Sequence, residues 1–204
     1  MDEEWQNMPG PSLREGDANV LQVIDEEDLS SFTFEGLKRR LRIHPETLSR
    51  VLHRLEDQGF VERGLNGYKV YSKPRDLLGS PSPGMEETSV PLLQTLLPRD
   101  VPVQKLVSSL RGKWFGMLRW LGSSESHHGV TLKWITEDGR AQVDANFSHG
   151  ELNIEAKLLG EKDTNFALMA SYQLIGYILR FYSKRNLVRQ ITYFGDTDAY
   201  FTAA

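Results

Sequence analysis

Residues 31–72 read SFTFEGLKRRLRIHPETLSRVLHRLEDQGFVERGLNGYKVYS. The order of signals in this stretch decides the fold. Thr33 can cap a short helix whose apolar positions are Phe34, Leu37 and Leu41. Arg42 and Ile43 form a turn. His44 then stands at a cap position and Pro45 at the first helical position, where its missing N–H costs nothing. The second helix runs to about Gln58, with Leu48, Val51, Leu52 and Leu55 as its apolar stripe. Gly59 follows as the expected left-handed end. Two strand-like runs, residues 60–63 and 68–72, flank Gly64-Leu65-Asn66-Gly67, and Asn-Gly is a strong short-hairpin signal.

Helix, turn, helix, strand, tight turn, strand is the order of a winged helix-turn-helix, a module that lays its second helix in a DNA major groove. PETLSRVLHRLEDQGFVER, followed by a short Gly-rich wing, resembles the winged-helix transcription regulators of the MarR-like or ArsR-like kind. The resemblance covers about a quarter of the chain and does not extend to its C-terminal part. It implies a recognition helix over 45–58 and a wing over 60–72. Opposite the apolar stripe lie Glu46, Thr47, Ser49, Arg50, His53 and Arg54. Arg can fork onto guanine, and Ser and Thr accept several bases. Thr47, Ser49, Arg50, His53 and Arg54 are therefore the expected groove contacts. Lys38, Arg39, Arg40, Arg63 and Lys69, with Asn66 at the wing tip, are expected on or near backbone phosphates. Leu65 at the tip can probe a minor groove or simply pack.

Charge points the same way. The 204 residues carry a net charge of −4. Residues 1–30 hold nine acids and one base, residues 31–74 nine bases and five acids, and the remainder fourteen of each. The one basic segment is thus the expected DNA reader, as a site-specific binder requires. There is no cysteine, which excludes disulfides and thiol chemistry and fits a reducing interior. No apolar run approaches the ~20 residues of a membrane span, and the acidic N-terminus is no signal peptide. The reading is a cytoplasmic protein.

Four regions are expected: a flexible acidic tail over 1–16, a winged helix over 17–73, a Pro/Gly-rich linker over 74–101, and an α+β domain over 102–204. In the winged helix, Asp17 is read as the cap of a first helix. Asp25-Glu26-Glu27-Asp28 is read as its solvated end. Leu92, Leu93, Leu96 and Leu97 are read as one apolar turn. In the last region, residues 130–135, 141–147 and 152–158 alternate strictly and, with 113–121, predict an antiparallel sheet of four strands. A strand over 187–194 would make five. A long helix over 163–183 is apolar around most of its circumference and needs a neighbour besides the sheet. It is the natural dimerisation unit.

Residues 113–121, KWFGMLRWL, are apolar on both faces. If Trp114, Leu118 and Trp120 face the core, then Phe115, Met117 and Leu121 show on the polar side. That corner must be covered by the helix starting near Pro102 or by a partner. Trp114, Phe115, Met117, Trp120, Trp134 and Tyr172 are the candidates for an interface or a ligand pocket. His127, His128 and His149 lack a carboxylate or thiol at ligand spacing, so no metal and no cofactor are expected. Asp144 and Glu155 read as cross-strand partners of Lys133 and Lys157, not as acid–base catalysts, so no enzyme is expected. The reading is a sequence-specific transcriptional regulator that binds double-stranded DNA as a homodimer through its C-terminal domain. A ligand-responsive form of it would need an enclosed cavity behind Trp114, Trp120 and Trp134 for a small-molecule effector. The alternative is a winged helix used as a protein-interaction module, which should show apolar residues on the outer helix face.

Overall fold

The computed structural model describes residues 14–71, 88–97, 102–159, 163–183 and 191–193. The acidic tail with Trp5 and Met8, residues 74–87 and 98–101 of the expected linker, and Lys184-Arg185 lie outside the described residues.

The N-terminal half begins with α1 (Glu15–Glu26). Arg14, not Asp17, is its cap residue; the Asp17 carboxylate turns back to accept from the Arg14 N–H at 3.4 Å. A two-residue strand β1 (Ser31–Phe32) leads into α2 (Phe34–Leu41), then α3 (Pro45–Asp57) and the hairpin β2 (Val61–Gly64) and β3 (Gly67–Val70). The local signals act as read. Thr33 Oγ1 accepts from the Gly36 N–H at 3.1 Å, Arg42 ends α2 in the left-handed region, and His44 caps α3 ahead of Pro45. Gly59 has φ 77°, and the Phe60 N–H reaches back to the Leu55 carbonyl at 2.9 Å. Val20, Leu21, Ile24, Leu37, Leu48 and Leu52 are among the residues of one apolar core.

The C-terminal half holds β4 (Thr88–Leu96), α4 (Val103–Leu110), β5 (Leu118–Ser126), β6 (Gly129–Thr136), β7 (Ala141–Ser148), β8 (Glu151–Leu158), α5 (Thr164–Ser183) and β9 (Ile191–Tyr193). One face of the β5–β8 meander, including Leu132, Trp134, Val143 and Ile154, packs with α4 and α5 into a second apolar core. No described helix is both long and apolar enough to cross a membrane.

The expected sheet of four or five strands is a correction. One sheet runs in the order β2-β3-β1-β5-β6-β7-β8-β4-β9. The cause is β1, which pairs with the wing strand β3 on one side and with β5 on the other. The wing is therefore continuous with the C-terminal meander. The stretch read as linker also supplies a full strand. β4 pairs with β8 from Thr88 to Leu96, with an irregularity between Pro91 and Leu93. That shift lets consecutive Leu92 and Leu93 both be buried, a pattern that resembles a helical turn in the sequence.

The apolar stretch before β5 is not one strand. Gly116 at φ 56° and a Phe115–Leu118 bridge make a tight turn, so the strand starts only at Leu118. The turn reverses the expected facing: Phe115 is buried in the second core and Trp114 is exposed. Leu121 does lie on the polar side, buried with Ile135 and Leu159. Its cover is α2. A Cβ on Gly36 would stand 2.6 Å from the Leu121 Cα. Helix α4 lies on the opposite face with the second core.

Candidate nucleic-acid interface

Helix α3 packs inward through Leu48, Val51, Leu52 and Leu55. Its outer face carries Thr47, Ser49, Arg50 and His53, all exposed. The Arg50 side chain is 73% exposed and its guanidinium meets Glu46 one turn back at 3.1 Å; His53 stands 3.9 Å from Asp57. An exposed i, i+4 ion pair such as Arg50–Glu46 is worth about 0.3–0.5 kcal/mol. It holds the Arg50 side chain against the helix yet yields readily to a phosphate or a base edge. On the wing, Arg63, Asn66 and Lys69 are exposed, and Leu65 at the tip projects fully into solvent. These seven polar residues share the open surface of one helix and one hairpin with the exposed carboxylates Glu46, Asp57 and Glu62.

Other expected contacts are engaged elsewhere. Arg54 turns away from the outer face and grips the buried Asp17 of α1 through Nε at 3.1 Å and through its Nη2. That hydrogen bond holds the guanidinium above its ordinary pKa, and it fixes α3 to α1. Arg40 reaches Glu27 at 3.0 Å and Gln142 at 3.2 Å, across the seam with the sheet. Lys38 and Arg39 lie on α2 against Glu35, at 2.7 and 3.4 Å. A double-mutant cycle on Arg54→Met and Asp17→Asn checks the α1–α3 tie. The doubly substituted protein is expected to lose clearly less stability in urea than the two single losses added together.

The largest departure from the sequence reading is the acidic run at the end of α1. Glu26 is exposed as expected of a solvated helix end, but Glu27 is not. Glu27 is 1% exposed and sits against the polar face of the sheet. Its carboxylate accepts from Arg40 at 3.0 Å, Lys133 at 3.2 Å, Lys157 at 2.8 Å and the Gln142 amide at 2.7 Å. Lys133 also binds Asp144 at 2.6 Å, as the expected cross-strand pair. Burial would raise the Glu27 carboxyl, but Lys133, Lys157 and Arg40 outweigh it and hold the group at about 2. Asp144 moves the other way, because burial and the neighbouring Glu27 charge prevail over the lysines. Burial would lower Lys133, but Asp144 and Glu27 hold it above its ordinary value. Asp28 continues the junction with a 2.6 Å contact from Ser124 Oγ. Residue composition gave no signal for this, since Glu27 and its partners are distant in the chain and each is ordinary alone.

The six expected pocket or interface residues divide. Phe115, Trp120 and Trp134 pack edge-on or nearly so, with ring centres 5.3–5.8 Å apart, and Trp134 Nε1 donates to the Lys113 carbonyl at 2.9 Å. These rings fill the core. Trp114, Met117 and Tyr172 are exposed, with Leu168 and Met169 on the same helix as Tyr172. His128 and His149 meet at two adjoining turns with ring centres 5.5 Å apart. Among the described residues no three His, Asp or Glu side chains gather to hold a metal.

No curated protein and no solved structure matches this chain. A family model does match, over residues 19–64, from the middle of α1 through β2. That span contains α3 entire, with the exposed face just described. The matched model is that of the MarR family, and over these residues the chain has the helix, helix and hairpin order of a winged helix-turn-helix.

Proposed function

We propose that this protein is a sequence-specific DNA-binding transcriptional regulator that acts as a dimer. Helix α3 enters the major groove, where Arg50 forks onto a base edge and Thr47, Ser49 and His53 add adaptable contacts. Arg63 and Lys69 meet flanking phosphates, and Asn66 and Leu65 reach the neighbouring backbone or minor groove. The observation that carries this reading is the outer face of α3. It is open, it is polar, and it lies within the family match. A protein-docking winged helix would show apolar residues there.

One helix of this length reads few base pairs, so useful specificity calls for two copies on a two-fold site. Leu168, Met169 and Tyr172 on α5, and Trp114 and Met117 beside it, supply the exposed apolar surface for that pairing. Gel shifts on the chain's own upstream DNA test the assignment. Arg50→Ala is expected to cost about 1–3 kcal/mol and relax specificity. Lys69→Ala is expected to weaken all sequences alike and lower the salt slope by about 1. Unchanged affinity in Arg50→Ala would remove α3 from the groove.

A further inference from the structure

Beside the Glu27 network the junction stays open. A cleft of about 410 Å³ separates the end of α1 from the polar sheet face, within the size range of small-molecule sites. Its walls come from both halves of the chain: Glu26, Glu27 and Asp28 on one side, and β5 to β8 on the other. Ser124, Thr131, Asn146 and Asn153 lie side by side across four strands and form a row of neutral hydroxyls and amides.

The polar groups of the cleft define what would fit it. Glu27 and Asp144 face three cations, Arg40, Lys133 and Lys157. Glu26 and Glu155, also lining the cleft, meet only neutral groups among the described residues: the Gln22 amide at 2.7 Å and the Ser89 hydroxyl at 2.9 Å. With Asp28, the five lining carboxylates outnumber the three cations, so the residual charge is negative and favours an ammonium. Lys133 presents the opposite need. Its side chain is 6% exposed and an ammonium has three N–H groups, yet the described residues supply side-chain acceptors for two, Glu27 and Asp144. The Asn153 amide likewise has no side-chain partner among the described residues. A ligand must bring a cationic nitrogen to the rim, an oxygen to Lys133 and hydroxyls to the row.

We infer that this cleft is a binding site for a small hydroxylated amine. Its occupancy is transmitted to the recognition helix through α1. The helix is built for this, since one end lines the cleft through Glu26 and Glu27 and the other holds Arg54 of α3 through Asp17. A ligand that bridges both walls biases the seating of α1 on the sheet, and by linkage DNA binding and amine binding then alter one another. The coupling rests on the regulator reading; the binding site does not.

Calorimetry on the full chain tests the site with glucosamine as probe. N-acetylglucosamine keeps most hydroxyls without the charge, and gluconate keeps the hydroxyls with the opposite charge. Glucosamine is expected to bind saturably, about tenfold or more tighter than N-acetylglucosamine, with no saturable heat from gluconate. Glu155→Gln and Asn153→Ala, both at positions with little packing to lose, are expected to weaken it several-fold each. The site is overturned if neither glucosamine nor ethanolamine saturates at any soluble concentration. It is also overturned if gluconate binds as well, or if both variants bind like the parent protein. Gel shifts with and without glucosamine then separate the two claims. Bound amine with unchanged DNA affinity overturns the coupling alone. Amine binding by a chain that binds no DNA overturns the regulator reading and leaves the site.

Discussion

Replacing Glu27 by glutamine is expected to destabilise the native state by about 3–5 kcal/mol. The carboxylate is 1% exposed and accepts from Arg40, Lys133, Lys157 and Gln142. Removing its charge leaves three cations facing one buried carboxylate, Asp144, and glutamine brings donors where acceptors are needed. Chemical denaturation at neutral pH reads the loss directly. The same residue predicts an acid limb. Its pKa in the fold is about 2 against an ordinary 4.5. A depressed carboxyl contributes stability that is fully present above the unfolded value and lost as pH falls from about 4.5 through about 2. At 1.36 kcal/mol for each unit, that contribution is about 3 kcal/mol. Asp144 is shifted upward, so it opposes folding as it ionises and flattens the upper part of the limb. In Glu27→Gln the low-pH part of the limb should disappear. An acid limb identical to that of the parent protein would show that Glu27 is not its source.

Substitution of Gly122 by alanine is expected to cost about 3 kcal/mol or more, through a different cause. A Cβ at this position would sit 2.1 Å from the Ser31 carbonyl oxygen and 2.9 Å from the Phe32 Cα. Both obstacles are backbone, so no side chain can swing aside. The strands β1 and β5 must separate, and with them go the bonds from Ser30 N–H to the Ser123 carbonyl and from Thr33 N–H to the Leu121 carbonyl, both 2.8 Å. Overpacking ordinarily costs about 1–3 kcal/mol, and the broken seam adds to that. Gly176→Ala is the matched control. It lies within α5, nothing stands within 4 Å of its Cβ, and it is expected to gain up to about 1 kcal/mol from helix propensity. Hydrogen exchange should show faster exchange at Ser30 and Thr33 in Gly122→Ala and none of this in Gly176→Ala.

These two residues mark where the sequence stopped being legible. Local elements could be read because their causes are local. Thr33, His44-Pro45 and Gly59 set helix ends by contacts within a few residues, and the alternation of 130–158 follows from one apolar face. The exposed polar face of α3 was visible for the same reason, since a stripe of Leu and Val fixes what lies opposite. The seam was not visible. A two-residue strand has no period, so nothing in Ser31-Phe32 announces a second pairing with β5. The Glu27 network joins residues up to 130 positions apart, and its members look like ordinary surface charges. Arg40 and Arg54 were misplaced on that account. Their side chains are drawn inward by Glu27 and Asp17, two carboxylates that a helical projection of α2 or α3 alone does not contain.

Selection from a randomised double-stranded library asks whether α3 reads DNA sequence. The 204-residue chain is incubated with the library at physiological salt. Bound DNA is recovered and sequenced over successive rounds, with Arg50→Ala carried in parallel. Enrichment of a motif with two-fold related half-sites about one helical turn apart is expected, degraded in the Arg50→Ala pool at a defined base pair. A pool that stays random through all rounds, while the protein remains folded and at working concentration, would contradict that expectation.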